Sequence, residues 1–219
     1  MYLRIKAEGG KIFIIDFAGA ENSSYRKMAQ LFGGSFIPVD ASGKYSINPL
    51  PTRSLLIQNG EFDAGQLTFI SIVIDMIVGN TGNDPAANLK RGIVSKAVGQ
   101  MYREHENPTL KDLPGYIADV DSDDKKLKDE LFKLLSDFLD ASNPASKIIA
   151  GNSNIEYTDN PFVIFDLQGI TGLTERMKQL LTFIVIQEAK KTAFKTPGFK
   201  FIIMDECAQL IKQPAMADL

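Results

Sequence analysis

Apolar residues fall in short unbroken runs near both ends of this 219-residue chain and at helical spacing through its middle. Lys11-Ile12-Phe13-Ile14-Ile15-Asp16 is such a run. A run without polar alternation predicts a strand buried on both faces. Ahead of it, Met1–Glu8 followed by Gly9-Gly10 reads as the tail of a helix with a glycine stop. After a glycine-bearing loop, Ser24 is placed to cap a helix through about Phe32, ended by Gly33-Gly34, and Ser35–Val39 is a further strand. Asn160-Pro161 precedes Phe162-Val163-Ile164-Phe165-Asp166, another buried strand. Thr171 or Thr174 then opens a long helix to about Thr192, Thr196-Pro197-Gly198 makes a turn, and Phe201-Ile202-Ile203-Met204-Asp205-Glu206 forms the last strand. Alternation of helix and strand predicts an α/β fold with a mostly parallel sheet.

Between these end regions the pattern changes to helices. From Asp63 or Gly65 to Val78 the chain is apolar nearly all round, which predicts a helix buried between other elements. Pro85 sits where the first turn of a helix to about Glu104 is expected. Leu127, Leu131, Leu134, Leu135, Phe138 and Leu139 share one helical face, with Ser122 as the expected cap and Asp121, Asp123 and Asp124 in the first turn. The divisions this pattern suggests are residues 1–60 and 146–219 for two parts of one α/β core, and 61–145 for an all-helical insertion.

Composition narrows the function classes. With 44% hydrophobic and 23% charged residues the chain is ordinary for a globular protein. Its net charge of −3 gives no electrostatic footprint for duplex binding, so nucleic-acid contact lacks support from charge. One cysteine, Cys207, excludes an internal disulfide and a cysteine-rich zinc site, and the single His105 excludes a multi-histidine metal site. The most apolar stretch, Leu67–Val78, is interrupted by Thr68, Ser71 and Asp75 and falls short of the ~20 residues a bilayer span needs. Membrane contact is therefore expected to be peripheral.

The candidate chemistry is carboxylate. Three expected strands end in acids, at Asp16, Asp166 and Asp205, and parallel α/β sheets bind ligands at the carboxyl ends of their strands. Aspartates at such places also cap helices and bend loops, so Asp16 and Asp166 are rim acids with a structural alternative. Asp205-Glu206 after four apolar residues looks like a Walker B strand, whose Asp holds a nucleotide-bound magnesium and whose Glu polarises the attacking water. The alternative is a solvated Glu206 that begins the next helix. Gly169 is expected to let the backbone turn tightly after Asp166-Leu167-Gln168. No G-x-x-x-x-G-K-[S/T] occurs: Gly10-Lys11 is followed by Ile12, and Gly43-Lys44 by Tyr45. No G-x-G-x-x-G follows Ile12–Ile15 either, which speaks against a dinucleotide-binding enzyme.

Gly9–Asp16, Ser24-Tyr25-Arg26-Lys27-Met28, Leu31–Ile37, Ile47-Asn48-Pro49-Leu50, Val163–Gly169 and Ile202–Glu206, in that order, resemble the conjugative-transfer ATPases of type IV secretion systems (TraC-like, the VirB-type motor family). The resemblance covers essentially the whole chain. It implies a RecA-like P-loop NTPase core with an inserted all-helical subdomain, ATP and Mg2+ as cofactors, and assembly as a homo-oligomeric hexamer. It further implies type IV secretion channel subunits as partners and a place at the cytoplasmic face of the bacterial inner membrane. Carried over by position, Asp205 holds magnesium through water, Glu206 orients and deprotonates the attacking water, and Gln168 is a candidate sensor. The family's phosphate loop is expected just before Met1, and its sensor strand and arginine finger after Leu219. The chain therefore reads as a fragment of a motor ATPase that hydrolyses ATP poorly or not at all by itself. The competing reading is a non-enzymatic interaction module whose helical block docks a secretion-channel subunit. Loss of the strand expected before Met1 would leave an unpaired central edge, which leads us to expect self-association.

Overall fold

The computed structural model describes residues 9–17, 24–80, 84–156, 160, 162–195 and 198–205. The chain divides into two compact units, one made of residues 1–47 with 154–219 and the other of residues 48–153.

The first unit is built on four parallel strands. They are β1 (Lys11–Asp16), β2 (Ser35–Pro38), β5 (Phe162–Asp166) and β6 (Lys200–Asp205), in the order β2-β5-β1-β6. All six residues of β1 and the first four of β5 are buried, as unbroken apolar runs require of inner strands. Ile12, Ile14, Phe162 and Ile164 form a cluster with Ala29 of helix α1 (Ser24–Phe32), joined by Tyr25, Met28, Phe36 and Ile203. Side chains alternate along a strand, so Phe13, Ile15, Val163 and Phe165 belong to the opposite face, and all four are fully buried. Helix α8 (Glu175–Lys195) lies against β1 and β6, and its residues Leu180–Ile186 are buried without a break.

The sequence also led us to expect a buried strand at residues 201–206, and here the structure differs. β6 is the last strand in the order, and Phe201 and Met204 are 40% and 41% exposed. Among the described residues its one strand neighbour is β1. α1 ends as expected, with Gly33 in the left-handed region at φ 66° and the Gly34 N–H donating to the Ala29 carbonyl at 2.8 Å.

The second unit is helical apart from one hairpin. Its helices are α2 (Arg53–Leu56), α3 (Ala64–Val78), α4 (Pro85–Glu104), α5 (Leu113–Asp119), α6 (Lys125–Leu139) and α7 (Pro144–Ile149). The hairpin pairs β3 (Ile57–Gln58) with β4 (Glu61–Phe62) across Asn59-Gly60, both at positive φ, the backbone of a type I′ turn. Asp63 caps α3 by accepting from the Gln66 N–H, and Asp84 caps α4 by accepting from Ala87. Asp75 of α3 accepts from Arg91 Nε of α4 at 2.7 Å and from Asn80 Nδ2 at 2.9 Å. The buried Tyr102 hydroxyl donates to the Pro51 carbonyl at 2.8 Å, and burial raises its pKa.

Ser122 is not the cap of α6. Asp124 holds that place, its carboxylate accepting from the Leu127 N–H, and the helix begins at Lys125 with no acid in its first turn. Aspartate gives the cap a charged acceptor next to the unsatisfied amides, which Ser122, two residues earlier, cannot reach. The unit's entry and exit meet where the Asn48 N–H donates to Ser153 Oγ at 2.8 Å.

Candidate functional site

Register brings three acids into one row. Asp16 pairs with Asp166 across β1 and β5, and with Asp205 across β1 and β6. Neighbouring strands run about 4.8 Å apart, and register partners project to the same face. Asp16 lies two residues beyond Ile14, and Asp205 two beyond Ile203, which places the row on the α1 side of the sheet. The rim is the carboxyl end of all three strands, the usual ligand edge of a parallel sheet.

The turn after β5 closes against this rim. The Leu167 N–H donates to the Asp16 carbonyl at 2.9 Å, and the Val39 N–H to the Asp166 carbonyl at 2.8 Å. Gln168–Ile170 then forms a single 3-10 turn, and the Gln168 N–H donates to Asp166 Oδ1 at 3.0 Å. A Cβ on Gly169 would lie 2.4 Å from the Asp40 Cβ and 2.8 Å from the Val39 carbonyl. Glycine is needed here for that close approach, since Gly169 is not among the glycines at positive φ.

Burial distinguishes the acids. Asp16 is 2% exposed, while Asp166 and Asp205 are half-buried. Burial pushes the Asp166 carboxyl above its usual pKa, the Gln168 N–H opposes that, and the Asp16 charge adds to it. Asp205 is held from outside the sheet: the Tyr25 hydroxyl donates to Asp205 Oδ2 at 2.8 Å. That bond first, then burial and the charges of Asp205 and Asp16, push the phenol up to about 12.

The sequence reading brought Asp16, Asp166 and Asp205 to one rim, where the register places them, and Gln168, the candidate sensor, lies on the turn after β5. Glu206 and Cys207 lie outside the described residues, as does the expected helix tail at Met1–Glu8. Tyr25, Arg26 and Asp40 were not singled out as site residues. Arg26 stands 5.3 Å from the centre of the Phe36 ring, and its charge lowers the Asp166 pKa. The signal for Tyr25 and Arg26 was topological. β1 ends at the rim, so the first turn of the helix that follows starts there.

No group of three or more His, Cys, Asp or Glu side chains converges to hold a metal ion among the described residues. Magnesium keeps several waters and takes one or two carboxylates plus phosphate oxygens. Asp166 and Asp205, the two half-buried acids of the rim, both have hard oxygen to offer such an ion, whereas Asp16 is sealed in.

The structure of VirB4 of Thermoanaerobacter pseudethanolicus matches this chain with a TM-score of 0.74, covering 99% of this chain and 81% of that one at 19% identity. The fold is shared with VirB4. The likeness takes in the rim strands and the helical unit alike, and the α/β class with a mostly parallel sheet expected from the sequence is the fold observed. The plasmid coupling protein TrwB bound to the GTP analogue GDPNP gives a TM-score of 0.44 at 16% identity, over 97% of this chain and 60% of TrwB. TrwB with ADP and Mg2+ gives 0.43 at 15% identity over the same shares. Scores at that level carry no argument. No protein-family model and no curated protein matches the sequence. Among the described residues no helix is long and apolar enough to cross a membrane.

Proposed function

We propose that this chain is part of a motor ATPase of a type IV secretion or conjugative-transfer system, coupling ATP hydrolysis to pilus assembly and to the transfer of DNA or protein. The observation that carries the reading is the row Asp166–Asp16–Asp205, which ends a parallel sheet in a fold shared with VirB4. Asp205 would hold the nucleotide's magnesium, and Glu206 would orient the attacking water and take its proton. The metal, when bound, neutralises charge on the phosphates. Asp16 and Asp166 keep the rim negative, and Gln168, on the turn after β5, senses the nucleotide's state. The motor works as a hexamer, joined to secretion-channel subunits at the cytoplasmic face of the inner membrane.

These 219 residues contain no G-x-x-x-x-G-K-[S/T], so alone they hydrolyse ATP poorly or not at all. Reading the DNA upstream of the Met1 codon tests the proposal. A frame that continues into a strand, a phosphate loop and a helix supports the motor. A stop codon with a genuine ribosome start at Met1 overturns it.

A second reading is an interaction module whose helical unit docks a channel subunit. That reading requires partner binding to survive Asp205→Asn and Glu206→Gln. Binding lost in either variant, with the fold intact, counts against it.

A further inference from the structure

We propose that Tyr25 is a positioning residue for Asp205, fixing the orientation of the rim carboxylate to which the proposed function gives the nucleotide's metal. The hydroxyl donates to Oδ2 at 2.8 Å between residues 180 positions apart. The ring that carries it is partly buried and packs against the core. Tyr25 packs with Met28, Phe36 and Ile203 against Ile12, Ile14, Ala29, Phe162 and Ile164. A tyrosine has two side-chain torsions, and packing of the ring restricts both, so the hydroxyl is a fixed donor.

Asp16 is sealed into the sheet, and Asp166 accepts from the backbone of its own turn. Asp205 ends the strand whose Phe201 and Met204 are exposed, and the Tyr25 bond ties it to a helix packed on the sheet. The chemistry of the donor also matters. A neutral phenol fixes the carboxylate and leaves its charge to attract a cation, whereas a lysine or arginine there would cancel it. A functional group works when its supporting shell holds it within about 0.5 Å and 10–20° of its working place. The metal consequence rests on the function proposed above; the fixed orientation does not.

The test compares the 219-residue chain with Tyr25→Phe, which keeps the ring in the core and removes the hydroxyl. Three-bond NMR couplings report the χ1 angle of Asp205, and Mn2+ titration reports metal affinity. Expected are a single Asp205 rotamer in the parent, averaged couplings in the variant and an Mn2+ Kd weakened by roughly tenfold. Asp205→Asn keeps an acceptor for Tyr25 but no charge, and is expected to keep the single rotamer and lose Mn2+. A single Asp205 rotamer that persists in Tyr25→Phe overturns the proposal. Averaged couplings with unchanged Mn2+ affinity overturn its metal consequence. Averaged couplings in the parent chain overturn the proposal as well. A single parent rotamer that averages in Tyr25→Phe, in a chain that binds no Mn2+ at Asp205, leaves the positioning role standing and counts against the metal role proposed above.

Discussion

Asp16 of β1 and Asp205 of β6 are register partners at the carboxyl ends of adjacent parallel strands, with Asp166 the next in the same row. Like charges side by side across a sheet destabilise it. The fold retains the row with hydrogen bonds to its outer members, from Tyr25 to Asp205 and from the Gln168 N–H to Asp166.

Relieving that repulsion has a readable effect. Asp16→Asn is expected to lower the Asp166 pKa, because the Asp16 charge is one of the causes that raise it. The Asp166 pKa is raised in the fold, so its contribution to stability is fully present below the unfolded value and is lost as pH rises through the folded value. The variant should lose less stability over that interval. Carbon-13 titration of the Asp166 carboxyl checks this, and an unchanged midpoint contradicts it.

The Tyr25 phenol gives a second titration. Its pKa stands at about 12, against 10.0 for a free tyrosine. The raised value favours the protonated form in the fold, so stability is fully present below the unfolded pKa and is lost as pH rises from there through about 12. Tyr102 and Tyr116 are raised too, so the reading must be resolved at Tyr25: its carbon-13 titration should be late in the parent and earlier in Asp205→Asn, where the Asp205 charge is gone and burial remains. An unchanged Tyr25 midpoint in that variant would place the cause elsewhere.

Two glycines should respond in opposite directions to alanine. A Cβ at Gly169 meets the Asp40 Cβ at 2.4 Å and the Val39 carbonyl at 2.8 Å, and such contacts are relieved only by moving backbone. Gly169→Ala is expected to cost about 1–3 kcal/mol. Gly92 lies inside α4 with nothing within 4 Å of a Cβ, so Gly92→Ala should stabilise by about 0.5–1 kcal/mol. Urea unfolding of the two variants measures both signs.

β6 carries four consecutive apolar residues, yet Phe201 and Met204 are exposed. Exposed apolar edge strands pair with other chains, and charged residues block that pairing. The 219-residue chain is expected to associate with rising concentration in sedimentation, and Met204→Lys to shift it towards monomer. A parent chain that stays monomeric at high concentration would show that this strand does not drive association.

Much of the site was legible because strand burial and strand ends leave local marks. Unbroken apolar runs with terminal aspartates located β1, β5 and β6, and the acids followed from the strands. What stayed hidden was lateral. Nothing in Phe201–Asp205 says that β6 stands last in the order, or that Tyr25, on the first helix after β1, reaches Asp205. Some local signals also went unread. Asn59-Gly60 between Ile57-Gln58 and Glu61-Phe62 marks a hairpin, and Asp124 outcompetes Ser122 because it lies at the distance from Leu127 at which a side chain can cap.

The bond from the Asn48 N–H to Ser153 Oγ bears on how the molecule assembles in time. Pairing β2 with β5 joins segments separated by about 120 residues, a slow search if the intervening chain is loose. Once the helices between them have condensed and their two ends are tied, the free span shrinks to the few residues on either side. Closure then costs about 2 kcal/mol less by chain entropy alone. The helical unit would thus act as a splint for the sheet, and weakening it by Asp75→Ala should slow sheet formation more than it lowers the sheet's own equilibrium stability.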